Sequence, residues 1–278
     1  MSLFITSLNS GSNGNCYYIG NDREAVLIDA GISCRETEKR MRLLGLSMSK
    51  VKAIFISHEH TDHIKSVDSL AAKYNLSVHI TDNTLQKSRI RFKKKLTRNF
   101  VAYEPVIIGE LMITAFPKFH DAIDPHSFII SYNNITVGVF TDIGASCEHL
   151  VKHFSQCHAA FLETNYDEIL LETGSYPVHL KNRIRGGNGH LSNTQALEIF
   201  RKYKPPFMTH LLLSHLSKDN NDPQLVKKLF DEHAAGTEII IASRYEQTNV
   251  YTITDQAISN PVNKKRAIRL QTKQLNLF

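Results

Sequence analysis

His58-Glu59-His60-Thr61-Asp62-His63 decides how this chain is read. It follows Val51-Lys52-Ala53-Ile54-Phe55-Ile56-Ser57, a short, apolar, β-branched run that predicts a buried strand. Four groups able to bind a metal thus arrive within six positions, where that strand ends. A buried strand has no structural use for them, whereas imidazole and carboxylate are the donor set that suits zinc and other first-row divalent metals. The cluster is too tight for one ion to use all four side chains. His58 and His60 alternate to the same side of an extended segment. Asp62 and His63, beyond the bend, can face a second ion. With 14 histidines in the chain, a single one would be ordinary; this string is not.

The bulk properties bound the rest. The chain has 278 residues, 42% of them hydrophobic, ample for a full core in one large domain or two small ones. No apolar stretch approaches the ~18 residues of a membrane-spanning helix. The opening Met1-Ser-Leu-Phe-Ile-Thr-Ser-Leu-Asn9 has neither a basic start nor a long apolar run, so a secretory signal is not expected. Cys16, Cys34, Cys147 and Cys157 form no CxxC pair and read as reduced thiols of a cytoplasmic protein. The net charge of +6 favours polyanionic partners. It is concentrated in three runs: Lys87, Arg89, Arg91, Lys93, Lys94, Lys95 and Arg98; Lys181, Arg183 and Arg185; and Lys264, Lys265, Arg266, Arg269 and Lys273. Three such runs on one metal protein point to contact with nucleic acid.

Strand and helix signals alternate along the chain. Leu3–Ser7, Tyr17–Ile19 and Ala25–Ile28 read as strands, and Ser33 caps a helix closed by Gly45. Val67–Tyr74 has helical spacing. Leu111–Phe116 is a strand, and Ser127–Tyr132 and Ile135–Thr141 flank an Asn133-Asn134 turn. Ala159–Leu162, Met208–Leu213, Glu238–Ala242 and Val250–Ile253 are further strands; Ser192 to Tyr203 and Pro223 to His233 are helices. Hairpins mixed with sheet-covering helices predict an α/β sandwich. The pattern fades after Asp255, so residues 1–255 read as one domain and 256–278 as a basic tail.

A site for two ions needs ligands from other strand ends, where rigid elements can aim loop residues. His120 follows the strand Leu111–Phe116, Asp142 follows Thr136–Thr141, and His215 follows Met208–Leu213. Asp142 suits a bridging place, because a carboxylate offers two oxygens and a charge that offsets cation repulsion. His210 lies inside a strand and is expected to serve the sheet; His126 is an outside candidate lining the cleft. Five imidazoles and two carboxylates suit Zn or Mn, and also Fe.

In this order the elements resemble the metallo-β-lactamase-fold hydrolases: Leu27-Ile-Asp29-Ala-Gly31, the HxHxDH loop, then His120, Asp142 and His215. More narrowly, Leu8-Asn-Ser-Gly-Ser-Asn-Gly-Asn-Cys16, Glu163-Thr-Asn-Tyr-Asp167, Gly189-His-Leu-Ser-Asn193 and Leu213-Ser-His-Leu-Ser-Lys-Asp-Asn-Asn221 resemble the YycJ/WalJ/VicX group of small bacterial nucleases, over residues 1–255. The resemblance implies a four-layer αββα sandwich, a site for two divalent metal ions at one edge of the sheets, and 5′-to-3′ exonuclease action on double-stranded DNA. It places His58, His60 and His120 on one ion and Asp62, His63 and His215 on the other. Asp142 would bridge them, and Asp29 would orient the loop from behind. Glu163 and His190 occupy places similar to a proton relay in a related ribonuclease branch, so Asp62, Glu163 and His190 are the catalytic candidates. His190 also has a plain reading, as a residue at the start of the Ser192 helix.

Three further expectations concern partners. Ser10-Gly11-Ser12-Asn13-Gly14-Asn15 has the glycines and short polar side chains of an anion-binding nest, or equally of a tight turn. Arg89, Arg91, Lys93, Lys94 and Lys95 are placed to hold a duplex backbone, which any sequence-independent exonuclease must do through phosphates. The chain ends Gln274-Leu275-Asn276-Leu277-Phe278, similar to the QLxLF peptide with which bacterial replication and repair proteins dock on the sliding clamp. Two other readings stay open: hydrolysis of RNA or of a small ester, thioester or cyclic phosphodiester, and a catalytically silent DNA-binding module.

Overall fold

The computed structural model describes residues 1–92 and 96–255. Lys93, Lys94 and Lys95 lie outside the described residues. So does the tail from 256, including Gln274, Leu275, Leu277 and Phe278.

Two seven-stranded sheets pack face to face. The first contains β1 (Ser2–Asn9), β2 (Cys16–Gly20), β3 (Ala25–Ile28), β4 (Val51–Phe55), β5 (Ser77–His79) and β6 (Thr97–Arg98). The second contains β7 (Pro105–Ile108), β8 (Leu111–Pro117), β9 (His126–Tyr132), β10 (Ile135–Phe140), β11 (Ala159–Glu163), β12 (His210–Ser214) and β13 (Glu238–Ile241). The last strand, β14 (Tyr251–Thr254), returns to the first sheet beside β1. Each sheet is antiparallel in one half and parallel in the other. Strands β3 to β6 and β10 to β13 are the parallel runs.

Alternation along the strands builds two kinds of core. Leu3, Ile5, Tyr17, Ile19, Val26 and Ile28 face Ile113, Phe128, Ile130, Val137, Val139 and Phe161 between the sheets. Their neighbours Tyr18, Leu27 and Ile54 face outward and are covered by α1 (Cys34–Leu43) and by α3 (Val67–Tyr74), which follows the short α2 (Thr61–Ile64). On the second sheet, Phe140, Leu162 and Leu213 face outward under helices α5 (Glu148–Phe154), α8 (Asn193–Tyr203) and α9 (Pro223–Asp231). The remaining helices are α4 (Asp82–Ser88), α6 (Glu168–Thr173) and α7 (Val178–Arg185). With both faces of each sheet covered, the central strands are apolar throughout rather than alternating. The layers run αββα.

Most expected boundaries hold to within a residue or two. Ser33 caps α1 through the Glu36 amide, and Gly45 follows it at φ 68°. Asn133 turns the β9–β10 hairpin at φ 52°, and Ser192 with Gln195 forms a capping box on α8. The helix expected to reach His233 stops at Asp231. The four cysteines are free, with Cys16 and Cys157 buried. Among the described residues, no helix is long and apolar enough to cross a membrane.

Candidate metal centre

The parallel strands deliver their C-terminal ends to one edge. Asp29 follows β3, His58 follows β4, Asp142 follows β10, Glu163 ends β11 and His215 follows β12. Asp29, Asp142 and His215 have φ of 60°, 55° and 58°, a left-handed conformation that non-glycine residues rarely adopt. Three such residues turn the chain sharply out of its strands, at roughly 1–2 kcal/mol each. Strain concentrated like this marks functional sites.

Four ligand sets result. His58, His60 and His120 form one, and Asp62, His63 and His215 another; Asp142 joins His58 and His63 in a third and Glu163, His190 and His215 in a fourth. Within each, the donor atoms lie within 4.8 Å of one another. His58 Nε2 and His60 Nδ1 are 3.0 Å apart, and His120 Nε2 and His60 Nδ1 3.3 Å. Ligand atoms about a four-coordinate zinc stand at a similar spacing, roughly 3.3 Å for bonds of ~2.0–2.1 Å.

The outer ring nitrogens of His58, His63, His120 and His215 are committed. His63 Nδ1 donates to Asp29 Oδ2 at 2.7 Å. Asp29 also accepts from the amide and the hydroxyl of Ser57, both at 2.8 Å. Because that hydroxyl spends its proton on Asp29, it accepts from His58 Nδ1 at 2.9 Å. His120 Nδ1 donates to the Gly189 carbonyl at 3.0 Å, and His215 Nδ1 to Glu163 Oε1 at 3.0 Å. Each bond holds its ring so that Nε2 faces the centre, as metal-ligating histidines require. Asp142 Oδ2 and His215 Nε2 are buried there without a hydrogen bond, a costly state that a cation would relieve.

The electrostatics agree. Burial opposes charge on His63, yet Asp142, Asp29 and Asp62 draw it well above the ordinary imidazole range. Burial is likewise outweighed at His215, which Asp142, Asp62 and Glu163 push up to about 10. Burial holds His58 well below its usual value and brings His120 down to about 4. Against burial, His215 and His63 keep Asp142 well below the carboxylate range. Protons on His63 and His215 therefore offset the negative field of the cluster, and metal binding displaces such protons. The residues present fit divalent metal ions.

The glycine-rich loop supports this centre from below. The Asn15 amide donates to the Asp62 carbonyl at 2.7 Å, and its side chain reaches Asp62 Oδ2 at 3.2 Å and His63 Nε2 at 3.0 Å. Gly11 N–H and the Tyr17 hydroxyl donate to Asn15 Oδ1, fixing its orientation. The Ser10 hydroxyl accepts from the His215 amide at 2.7 Å. A Cβ on Gly31 would lie 1.6 Å from the Asp62 carbonyl, so only glycine lets the two segments meet. The backbone N–H groups of Ser10, Gly11, Gly14 and Asn15 all find partners within the protein. The expected nest thus narrows to its exposed tip, Ser12 and Asn13.

Glu163 is fully buried and satisfied. Its Oε2 accepts from Ile143 and Leu191 amides, and its Oε1 lies 2.7 Å from His190 Nδ1. His190 and Glu163, expected as a pair, are brought together beside the ligands. His126 joins none of the candidate ligand sets: its Nδ1 faces the Asp124 carbonyl and its ring packs on Phe100. His210 begins β12, bonded to Thr209 Oγ1. Arg89 and Arg91 are exposed, and Arg89 shares a hollow with Ile123. Sequence reasoning missed Ser57, whose hydroxyl meets the candidate ligands His58 and His63, and Lys118, whose buried ammonium donates to the Thr141 carbonyl at 2.7 Å just before Asp142. A lysine two positions ahead of His120 was the available signal.

A family model described as a beta-lactamase superfamily domain matches residues 24–215. The exodeoxyribonuclease YycJ of Bacillus anthracis is 32% identical over 232 residues, covering 82% of this chain and 87% of that protein. The exodeoxyribonuclease WalJ of Streptococcus pneumoniae serotype 2 is 29% identical over 223 residues, covering 78% and 83%. Among solved structures, the metallo-β-lactamase fold protein YhfI from Bacillus subtilis matches with a TM-score of 0.69 over 91% of this chain and 100% of that one. Its 17% identity speaks for the fold alone.

Proposed function

This chain belongs to the β-lactamase superfamily and, within it, to the family of the Bacillus anthracis exodeoxyribonuclease YycJ, and on that premise we propose that it is a metal-dependent exonuclease that degrades double-stranded DNA in the 5′-to-3′ direction. The observation that carries this reading is the set of inward-facing Nε2 atoms, each fixed by an outer hydrogen bond, around the carboxylates Asp62 and Asp142.

His58, His60 and His120 would hold one divalent cation and Asp62, His63 and His215 a second, with Asp142 reaching both. Zn and Mn suit these donors, and Fe also does. When bound, such ions lower the pKa of a water and neutralise charge gathering on phosphate oxygens. The chain's own residues do the rest. Asp62, the most exposed of the two central carboxylates, orients the incoming water. In the doubly protonated ring Glu163 accepts from His190 Nδ1–H and balances its charge, and Nε2–H gives its proton to the departing oxygen, leaving a neutral imidazole. Arg89 and Arg91 hold the phosphate backbone, joined by Lys93, Lys94 and Lys95, and the Ser12–Asn13 tip offers further polar contacts. The terminal Gln274, Leu275, Leu277 and Phe278 dock on the sliding clamp, and deleting 274–278 should abolish clamp binding while sparing nuclease activity.

The deciding assay offers the purified chain, with Mn²⁺ or Zn²⁺, 5′- and 3′-end-labelled duplex, RNA and small esters. Stepwise loss from the 5′ end of the duplex is expected, and its absence in His58→Ala and Asp142→Ala. Ester turnover without DNA cleavage would refute the nuclease reading.

A further inference from the structure

The loop from Lys118 to Pro125 carries His120 into the site and is fastened at both ends and in the middle. The Phe119 carbonyl accepts from Gly144 N–H at 2.6 Å, and the Lys118 amide donates to the Pro125 carbonyl at 3.1 Å. Arg183 of α7 donates to Asp121 Oδ2 at 2.5 Å. Glu59, the one residue of the His58–His63 string besides Thr61 that the ligand sets leave out, accepts from Ile123 N–H at 3.0 Å. From below, Thr84 of α4 reaches the Asp124 carbonyl at 3.5 Å.

This fastened loop nevertheless holds two large apolar side chains in water. Phe119 is 50% exposed and Ile123 55%. Phe119 adjoins the ligand His120 in sequence, and Ile123 is tied through Glu59 to the strand-end loop that carries the other ligands. Ile123 forms one wall of an open hollow of about 440 Å³ whose other walls are Asn83, Gln86, Lys87 and Arg89. Neither Lys87 nor Arg89 forms an ion pair with a described residue. The loop's Asp121 pairs with Arg183 and its Asp124 lies 3.8 Å from His126 Nδ1, while the neighbouring Glu59 accepts from the Ile123 amide. Apolar tips on a rigid support, bordered by unpaired cations, match a ligand with flat apolar faces and a polyanionic edge. The end of a DNA duplex has both.

We propose that Phe119 and Ile123 form a wedge that packs on the last base pair of a bound duplex and parts it, so that the 5′-ended strand reaches the ligands alone while Lys87 and Arg89 hold the backbone. The inference rests on the nuclease reading. The donors at the strand ends are buried, and a single strand can bring its phosphodiester closer to them than a strand still paired at its end. Opening the end costs unstacking and unpairing energy that is smallest for a mismatched base, and apolar side chains inserted at a base step part the stack in other DNA-binding proteins.

The test compares single-turnover rates of the full chain with Mn²⁺ on two duplexes. One is blunt and fully paired; the other has its last two pairs at the 5′ end mismatched. Phe119→Ala/Ile123→Ala should slow the blunt duplex roughly tenfold or more while the mismatched end, already open, recovers most of that loss. Phe119→Tyr, which keeps the ring, should retain the wild-type ratio. If the double variant loses bound metal, Ile123→Ser alone carries the comparison and is read the same way. Equal slowing on both duplexes, or none on either, overturns the wedge. Wild-type chain that leaves both duplexes intact removes the nuclease reading itself, so the two failures are told apart.

Discussion

Glu163 Oε1 lies 2.7 Å from Nδ1 of His190, and the same oxygen lies 3.0 Å from Nδ1 of His215. One buried carboxylate thus steadies both a candidate metal ligand and the group proposed to move a proton. The two roles separate by mutation. His190→Ala should lower kcat roughly 10²–10⁴-fold with bound metal and KM little changed. Glu163→Gln should lower activity and also weaken metal binding, because His215 loses its tautomer-fixing partner. Metal analysis of both variants decides. His190 shares one ligand set with Asp142, Glu163 and His215, so loss of metal from His190→Ala would make it a ligand and not a relay.

Asn15 touches no substrate in this scheme, yet its amide contacts Asp62 and His63, and its carbonyl oxygen is held by Gly11 N–H and Tyr17. Asn15→Ala should weaken metal binding roughly 10–100-fold, the usual effect of removing an outer partner of a ligand. A competition titration against a metal indicator measures it. Affinity equal to wild type would return the loop to the role of a simple turn.

Why the candidate ligands were legible and this support was not follows from range. His58, His120, Asp142 and His215 announce themselves by residue type at the end of an apolar run, a local signal. Asn15 matters because Asp62, 47 positions away, folds onto it, and glycine and asparagine alone read equally well as a turn. The left-handed backbone of Asp29, Asp142 and His215 is likewise imposed by surroundings, since none is a glycine. The missed elements are the short or weakly patterned ones. Strand β6 has two residues, β7 begins with Pro105 and is only half-buried, and α6 has six residues. None offers enough apolar periodicity to stand above the loops around it.

Arg40 is buried at the base of the same loop. Its guanidinium donates to the carbonyls of Leu8 and Tyr245, to Asn9 Oδ1 and to Glu36. Arg40→Met keeps the apolar stem but strands four acceptors, and a cost of about 3 kcal/mol is expected for lost charge-assisted bonds. For a domain of this size that corresponds to a fall in Tm of roughly 6–12 °C. Calorimetry on the metal-loaded proteins checks it. A shift under 2 °C would mean that water replaces the guanidinium without penalty.

His79 gives the fold a pH dependence separable from the metal centre. Its ring stacks on Phe55 at 4.4 Å, Nε2 meets Ser77 Oγ at 3.2 Å, and Nδ1 is buried without a partner. Burial, aided by the charge of Arg98, lowers its pKa to about 4. An unfolded histidine titrates near 6.5. Between those values the unfolded chain takes up a proton that the folded chain refuses. Stability contributed by the neutral ring is therefore complete above pH ~6.5 and drains away as pH falls to about 4, by up to about 3 kcal/mol. His79→Gln removes the titrating group. Urea unfolding of the two proteins should give a stability difference that narrows or reverses in the variant's favour on acidification through this window. Parallel pH profiles would show that the His79 ring accepts its proton in the folded state as readily as in the unfolded one.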